Sequence, residues 1–330
     1  MGWLKRVVDP GREFHKPLAG LEDDVFLHVG ATRAKTTKFW VQLALASVIA
    51  AGGVISNSTP AVIGAMIIAP LATPIYGLAL AAVVGDRKAL RSSLALLVSG
   101  IAVNILIGVL IGLVTVNRMP IDVNPQIVGR TAPTILDLAV AVATGVAGSF
   151  ALARRDVADI LAGVAIAISL VPVLAVVGIT LGAGQFSLAF GAFLLFLANA
   201  AAILIAGAVV FRVAGYAREA VDRDERAGRR ARLAIIVLVV VLLVPLAASS
   251  GQILAYELWT RDAESITAQW IQGTAWKLET VEQSSNEIVI TVIGPGAPPP
   301  VAELKAALRE KIPASVPVSI VEDSGRTEEL

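Results

Sequence analysis

The sequence predicts a polytopic α-helical membrane protein of about seven transmembrane helices, followed by a small α+β domain at the C-terminus. Three observations predict it. Of 330 residues 56% are hydrophobic and only 16% charged, with a mean hydropathy of +0.77, too little charge to keep a soluble surface in water. Seven long apolar runs approach or exceed the roughly 20 residues with which a helix crosses about 30 Å of hydrocarbon. Lysine and arginine alternate between the two sides of those runs, the bias that sets orientation in a bilayer.

The runs are Phe39–Ile55, Pro60–Val84, Ala89–Val116, Thr134–Ala153, Val157–Leu181, Phe186–Gly215 and Leu233–Tyr256. The first is short for a span; the third and sixth are long enough to tilt. With the N-terminus inside, nineteen basic residues fall on the cytoplasmic side, from Lys5 in the tail to Arg232 in the linker. The outer loops hold only Arg118 and Arg130, and the C-terminal segment adds six more. Long domains cross largely regardless of charge. The expected organisation is a cytoplasmic segment 1–38, a six-helix core 39–215, a charged cytoplasmic linker 216–232, a seventh span 233–256 and an extracytoplasmic domain 257–330. The expected location is a bacterial inner (plasma) membrane.

The C-terminal domain reads as α-β-β-α-β. Glu257–Ala275 has helical composition, and Lys277–Glu282 and Glu287–Ile293 are strand-like. Ile288, Ile290 and Val292 share one face of the second strand. After the breaker-rich stretch 294–300, Val301–Ile312 places Val301, Leu304, Leu308 and Ile312 on one helical stripe, and Val316–Val321 is the last strand.

Within the core, three features recur in the same order at an offset of about 93 to 99 residues. Gly64–Gly77 resembles Gly163–Gly178, each with a proline nine or ten residues after its first glycine. Asn104 and Asn199 each interrupt an apolar span, and Gly52-Gly53 has its counterpart in Gly145-Val-Ala-Gly148. A repeat of three spans (39–116 and 134–215) contains an odd number, so its second copy inserts upside down. Composition alone also makes Ala/Gly-rich helices look alike, so the 3+3 inverted repeat stands here as an expectation.

The candidate functional residues follow from that pattern. Pro70, Pro74 and Pro172 lie near the middles of helices two and five, where a proline frees a carbonyl and breaks or kinks the helix; the alternative is that they only shape packing. Asn104 and Asn199 either line a polar path or hydrogen-bond across helices, and small neighbours at four-residue spacing favour the second role. Ser56, Asn57, Ser58 and Thr59 form a polar tip, read as a turn and helix N-cap or as a re-entrant element. Gly108, Gly112, Gly145, Gly148, Gly178 and Gly182 are positions for close helix crossing. Asp137, Asp156 and Asp159 read as interfacial, which disfavours a buried proton relay.

Several classes are set aside. The net charge of +1 argues against nucleic acid as a partner, and the absence of cysteine removes disulfides and thiolate metal sites. No phosphate-binding or zinc-protease motif occurs, and no histidine lies near a membrane serine. The expectation is therefore no enzyme activity, no cofactor and no metal. The expected partners are membrane lipids, further copies of the chain, and a ligand of the outer domain. The leading reading is a transporter- or channel-like protein; the other is an oligomeric envelope scaffold or sensor whose outer domain binds a partner.

The segment Ile49–Gly77, with Gly145–Gly148, Leu161–Gly178 and Phe196-Leu-Ala-Asn199, resembles a bacterial and archaeal membrane family, domain of unknown function 389. The resemblance covers roughly residues 38–215. It departs at Val171-Pro172-Val173, where the family pattern implies a double proline and hence a stronger kink. It implies a fold neighbourhood and brings no activity with it.

Overall fold

A computed structural model describes residues 14–115, 121, 124–131, 135–157, 170–221, 256, 258–284, 287–296 and 298–323. They fall into two compact units, 1–246 and 247–330. The seventh predicted span, most of the charged linker, Asp159 and the first half of helix five lie outside the described residues.

The first unit is helical: α1 (Leu18–Val25), α2 (Thr32–Ile55), α3 (Thr59–Ile68), α4 (Ala72–Val84), α5 (Arg87–Thr115), α6 (Pro125–Val128), α7 (Ile135–Ala153), α8 (Val171–Gly182), α9 (Phe186–Val213) and α10 (Tyr216–Val221). Among the described residues α2, α5 and α9 are long and apolar enough to cross a membrane; α3 and α4, bent by 41° across a short break, make a fourth if taken as one span. The apolar helices α7 and α8 are shorter as described. Seven spans are thus not reached. Many large apolar side chains, such as Leu106, Leu110 and Leu113 along α5, are exposed, which suits lipid rather than water.

Local chemistry sets the boundaries. Helix α2 starts at Thr32 rather than Phe39 because its polar first turns are anchored, Lys35 Nζ donating to Val29 O (2.9 Å) and Asp23 Oδ1 (2.6 Å). The α2–α3 turn closes on Asn57, whose φ of 49° is left-handed, and Ser58 caps α3 by accepting from Ala61 N. Gly85 (φ 76°) ends α4. Asp86 Oδ1 then accepts from Lys88 N and Ala89 N at the start of α5.

At one end of the bundle the α2–α3 turn meets the α6 loop. Asn124 Nδ2 donates to Val54 O and Gln126 Nε2 to Thr59 Oγ1, both at 2.9 Å. At the opposite end the N-terminal segment is stitched to the end of α7 and to α10. Lys16 N donates to Ala153 O (3.0 Å), Arg155 N to Phe14 O (3.1 Å) and Tyr216 OH to Lys16 O (2.7 Å). Glu219 accepts from Leu18 N (3.1 Å) and contacts His15 Nε2 (2.8 Å), with His15 stacked on Tyr216. The histidine lies in a folded clasp rather than a loose tail. Arg154 pairs with Asp156 (2.6 Å), and this hydrogen bond lowers the Asp156 pKa and raises that of Arg154. Removing the clasp's acceptor gives an expected result: Glu219→Ala speeds amide hydrogen exchange across residues 15–25 by roughly fivefold, the loss of about 1 kcal/mol, while the rest of the bundle exchanges as before.

The second unit has a helix over 258–270 (α11), β1 (Lys277–Ser284), β2 (Glu287–Ile293), α12 (Val301–Lys311) and β3 (Val318–Asp323). The α-β-β-α-β order is as the sequence predicts. β1 pairs antiparallel with β2 and β2 parallel with β3, the parallel step being carried by the α12 crossover. Ile288, Ile290 and Val292 alternate inward against Leu304, Leu308, Ile312, Trp276 and Ala263. β3 begins two residues later than predicted because Val316 is buried in the preceding turn.

Candidate functional site

The break in helix two is local in origin. Pro70 offers no N–H and disfavours helical geometry at Ala69, which is extended (φ −66°, ψ 125°). Ala69 N closes α3 on Ala65 O, and Thr73 N donates to Pro70 O as α4 begins. Pro74, expected in mid-helix, sits in the first turn of α4, where a proline costs little. Pro172 likewise lies in the first turn of α8; whatever precedes Leu170 in helix five is outside the described residues. Leu71 and Leu170, the N-cap residues of α4 and α8, offer no side-chain acceptor to the first-turn amides.

Helix α5 connects these two starts. Ala89, Ser93, Gly100, Asn104, Gly108 and Gly112 form its buried stripe, mostly at the four-residue spacing of one helical face. Gly100 lies against Leu71; Gly108 lies against Ala175 and Gly178, and Gly112 against Ile179. Gly178 and Gly182 return the contact, meeting Ile105, Gly108, Val109 and Leu113. The predicted crossing glycines therefore face each other, backbone on backbone. Gly145 does the same for α7 against Ile203 and Ala206 of α9, and Gly148 is buried in α7.

Asn104 sits one turn from Gly100 and one from Gly108, which places it at the level of both uncapped turns. It is 0% exposed, and neither its Nδ2 nor its Oδ1 has a hydrogen-bond partner. Asn199 is 9% exposed with Oδ1 unpartnered. Asn104 makes no cross-helix hydrogen bond, and Asn199 Oδ1 accepts none. Burying a polar group without a partner costs about 1–3 kcal/mol, a cost that both side chains carry on their unpartnered atoms.

Asn199 opens onto a cavity of about 250 Å³ lined by Arg130, Asp137, Thr144, Val173 and Leu195, with Gly129, Val140, Ala141 and Ile203 completing the wall. Arg130 Nη1 donates to Gln126 O (2.8 Å) and Oε1 (2.9 Å). Burial lowers its pKa, though a guanidinium stays charged at any ordinary pH. Thr144 Oγ1 bonds back to Val140 O and Ala141 O. Among the described residues no group of three or more histidine or carboxylate side chains gathers as a metal site.

The polar tip divides in role. Ser56 bonds back to Gly52 O, Asn57 makes the turn, Ser58 caps α3, and Thr59 receives Gln126. Gln126, Asn124 and Thr144 were not singled out by the sequence, and Arg130 and Asp137 were read only as loop and interfacial groups. One signal was available: Arg130 is one of only two basic residues in the loops that the sequence predicts to lie outside.

Comparison with known proteins agrees on the region. Residues 66–205 match the family model described as a domain of unknown function (DUF389). The chain is also 34% identical over 176 residues to the uncharacterized protein MJ0678 of Methanocaldococcus jannaschii, covering 53% of each chain. It thus spans about half the length of that curated relative. No solved structure matches. The stretch that matches the domain of unknown function 389 model runs from the end of α3 into α9 and holds both half-helix starts and both buried asparagines.

Proposed function

We propose that this chain is a transporter- or channel-like membrane protein built on a 3+3 inverted repeat, with its polar crossing point at Asn104 and Asn199. The observation that carries the reading is the unpartnered, fully buried amide of Asn104 at the level of two uncapped half-helix starts. Interrupted helices whose N-termini meet polar groups near the midplane are how inverted-repeat carriers build solute sites. In hydrocarbon, such groups persist where a ligand or water satisfies them.

Packing supports the repeat. α2 packs on α5 as α7 packs on α9, and both half-helices α4 and α8 pack against α5 and α9. The turns also sort by charge: among the described residues Arg130 is the one basic group at the α6 end, whereas Lys16, Arg87, Lys88, Arg154, Arg155 and Arg218 gather at the clasp end, supporting a cytoplasmic clasp. On this reading the seventh span carries the C-terminal domain to the outer side.

The test is flux into liposomes holding the full chain, offered small ions, zwitterions and neutral osmolytes. Uptake above that of empty liposomes for one of these classes, lost in Asn104→Leu, is the expected result. Equal leak with and without protein for every class overturns the reading.

A further inference from the structure

The cavity beneath the α6 loop pairs one cation with one anion. Arg130 is on the loop and Asp137 in the first turn of α7. Thr144 lies two turns further along α7, about 10 Å deeper, near Asn199 and the first turn of α8. We propose that this cavity binds a small zwitterionic solute bearing a carboxylate and an ammonium group on a short carbon skeleton, a proposal that rests on the transporter reading.

Charge decides the class. The formal charges of Arg130 and Asp137 cancel, so a solute with net charge would leave an uncompensated ion in a partly dehydrated space. Arg130, held at the loop by its two bonds to Gln126, repels a simple cation approaching Asp137. Asp137 in turn repels a simple anion. A molecule carrying both charges brings no net charge into the cavity, and its own carboxylate offsets part of the repulsion between its ammonium and Arg130.

The deep end suits the carboxylate. The first turn of α8 has no side-chain cap and presents the positive end of its dipole. Beside it, Asn199 is nine-tenths buried with Oδ1 unpartnered, and its amide offers a donor and an acceptor together. The ammonium group falls towards Asp137. That carboxylate already has an interaction within the protein, but its two oxygens accept up to about four hydrogen bonds. Val140, Val173, Leu195 and Ile203 supply apolar walls for a methyl or isopropyl group. The volume, about 250 Å³, lies under the usual range for drug-sized ligands and suits solutes the size of alanine or valine.

Calorimetric titration of the full chain in detergent tests this with alanine and with the two halves of its charge, acetate and methylammonium. Alanine is expected to bind saturably, and the two single ions about tenfold more weakly or not at all. Asn199→Leu and Asp137→Asn should each weaken alanine binding by about tenfold or more, with the melting temperature of Asn199→Leu at or above the parent's because an unpartnered amide is gone. Should Asn199→Leu fail to fold, Asp137→Asn at a half-exposed position carries the test alone. Acetate binding as tightly as alanine, no alanine binding at millimolar concentrations, or variants that bind alanine normally would each overturn the proposal. Flux of another solute class without alanine binding sinks this inference and leaves the transporter reading standing; alanine binding without flux of any solute does the reverse.

Discussion

Gly178→Val is expected to leave almost no folded protein recoverable in mild detergent. A methyl carbon built on Gly178 lies 2.6 Å from Gly108 Cα and 2.8 Å from Val109 N, and closer still to Ile105 O. All three are backbone atoms of α5, so no side chain can swing aside and the helices must separate. Separation also disturbs the neighbouring contacts of Gly108, Gly112 and Gly182, because helix association in lipid depends on close packing rather than on hydrophobic burial. Overpacking a tight contact costs about 1–3 kcal/mol, and more where the backbone must move; here on the order of 3 kcal/mol or more is expected. Gly52→Ala provides the control. A methyl there meets nothing within 4 Å, and the helix gains about 0.5–1 kcal/mol from the better helix former. Size-exclusion profiles and melting temperatures of both variants read the difference; a monodisperse Gly178→Val protein melting with the parent would refute the close crossing.

Asn104→Leu is expected to move stability and function in opposite directions. Leucine shares the branching and heavy-atom count of asparagine but is bulkier. It removes two unpartnered polar atoms from a site with no exposure, worth about 1–3 kcal/mol, against a smaller repacking cost, so a net gain in stability is expected. The same change replaces the polar group between the two half-helix starts with an apolar one, so solute flux should fall to the level of empty liposomes. A purely structural asparagine predicts the reverse: destabilisation without a specific loss of flux. Melting curves and flux measured on one preparation separate the two outcomes.

Much of the fold was legible because its signals are local. Apolar runs located the helices, Pro70 located the break in helix two, and the four-residue spacing of Gly108 and Gly112 marked the face that α8 covers. The candidate site was legible in part. Asn104 and Asn199 stood out as lone amides in apolar spans, but whether an asparagine pairs depends on what crosses it, and no spacing reveals that. Pro74 appeared as part of the kink since a sequence does not say which of two prolines ends one helix and which starts the next. Arg130 and Gln126 were passed over because their role depends on the α6 loop folding back onto Thr59, a contact 67 residues away in sequence.

The exchange of half-helices has a consequence for biogenesis. α4 packs against α9 and α8 against α5, so neither the helices up to α5 nor those from α7 on can complete their own interior. Before α8 and α9 are made, Gly77 of α4 can already meet Ser93 of α5, but the glycine seam of α5 lacks its partner and Ala79 lacks Gly207. Assembly is thus interlocked: the nascent first half stays unfinished until α8 and α9 arrive. A chain cut between α5 and α7 is expected to yield halves that mature only together.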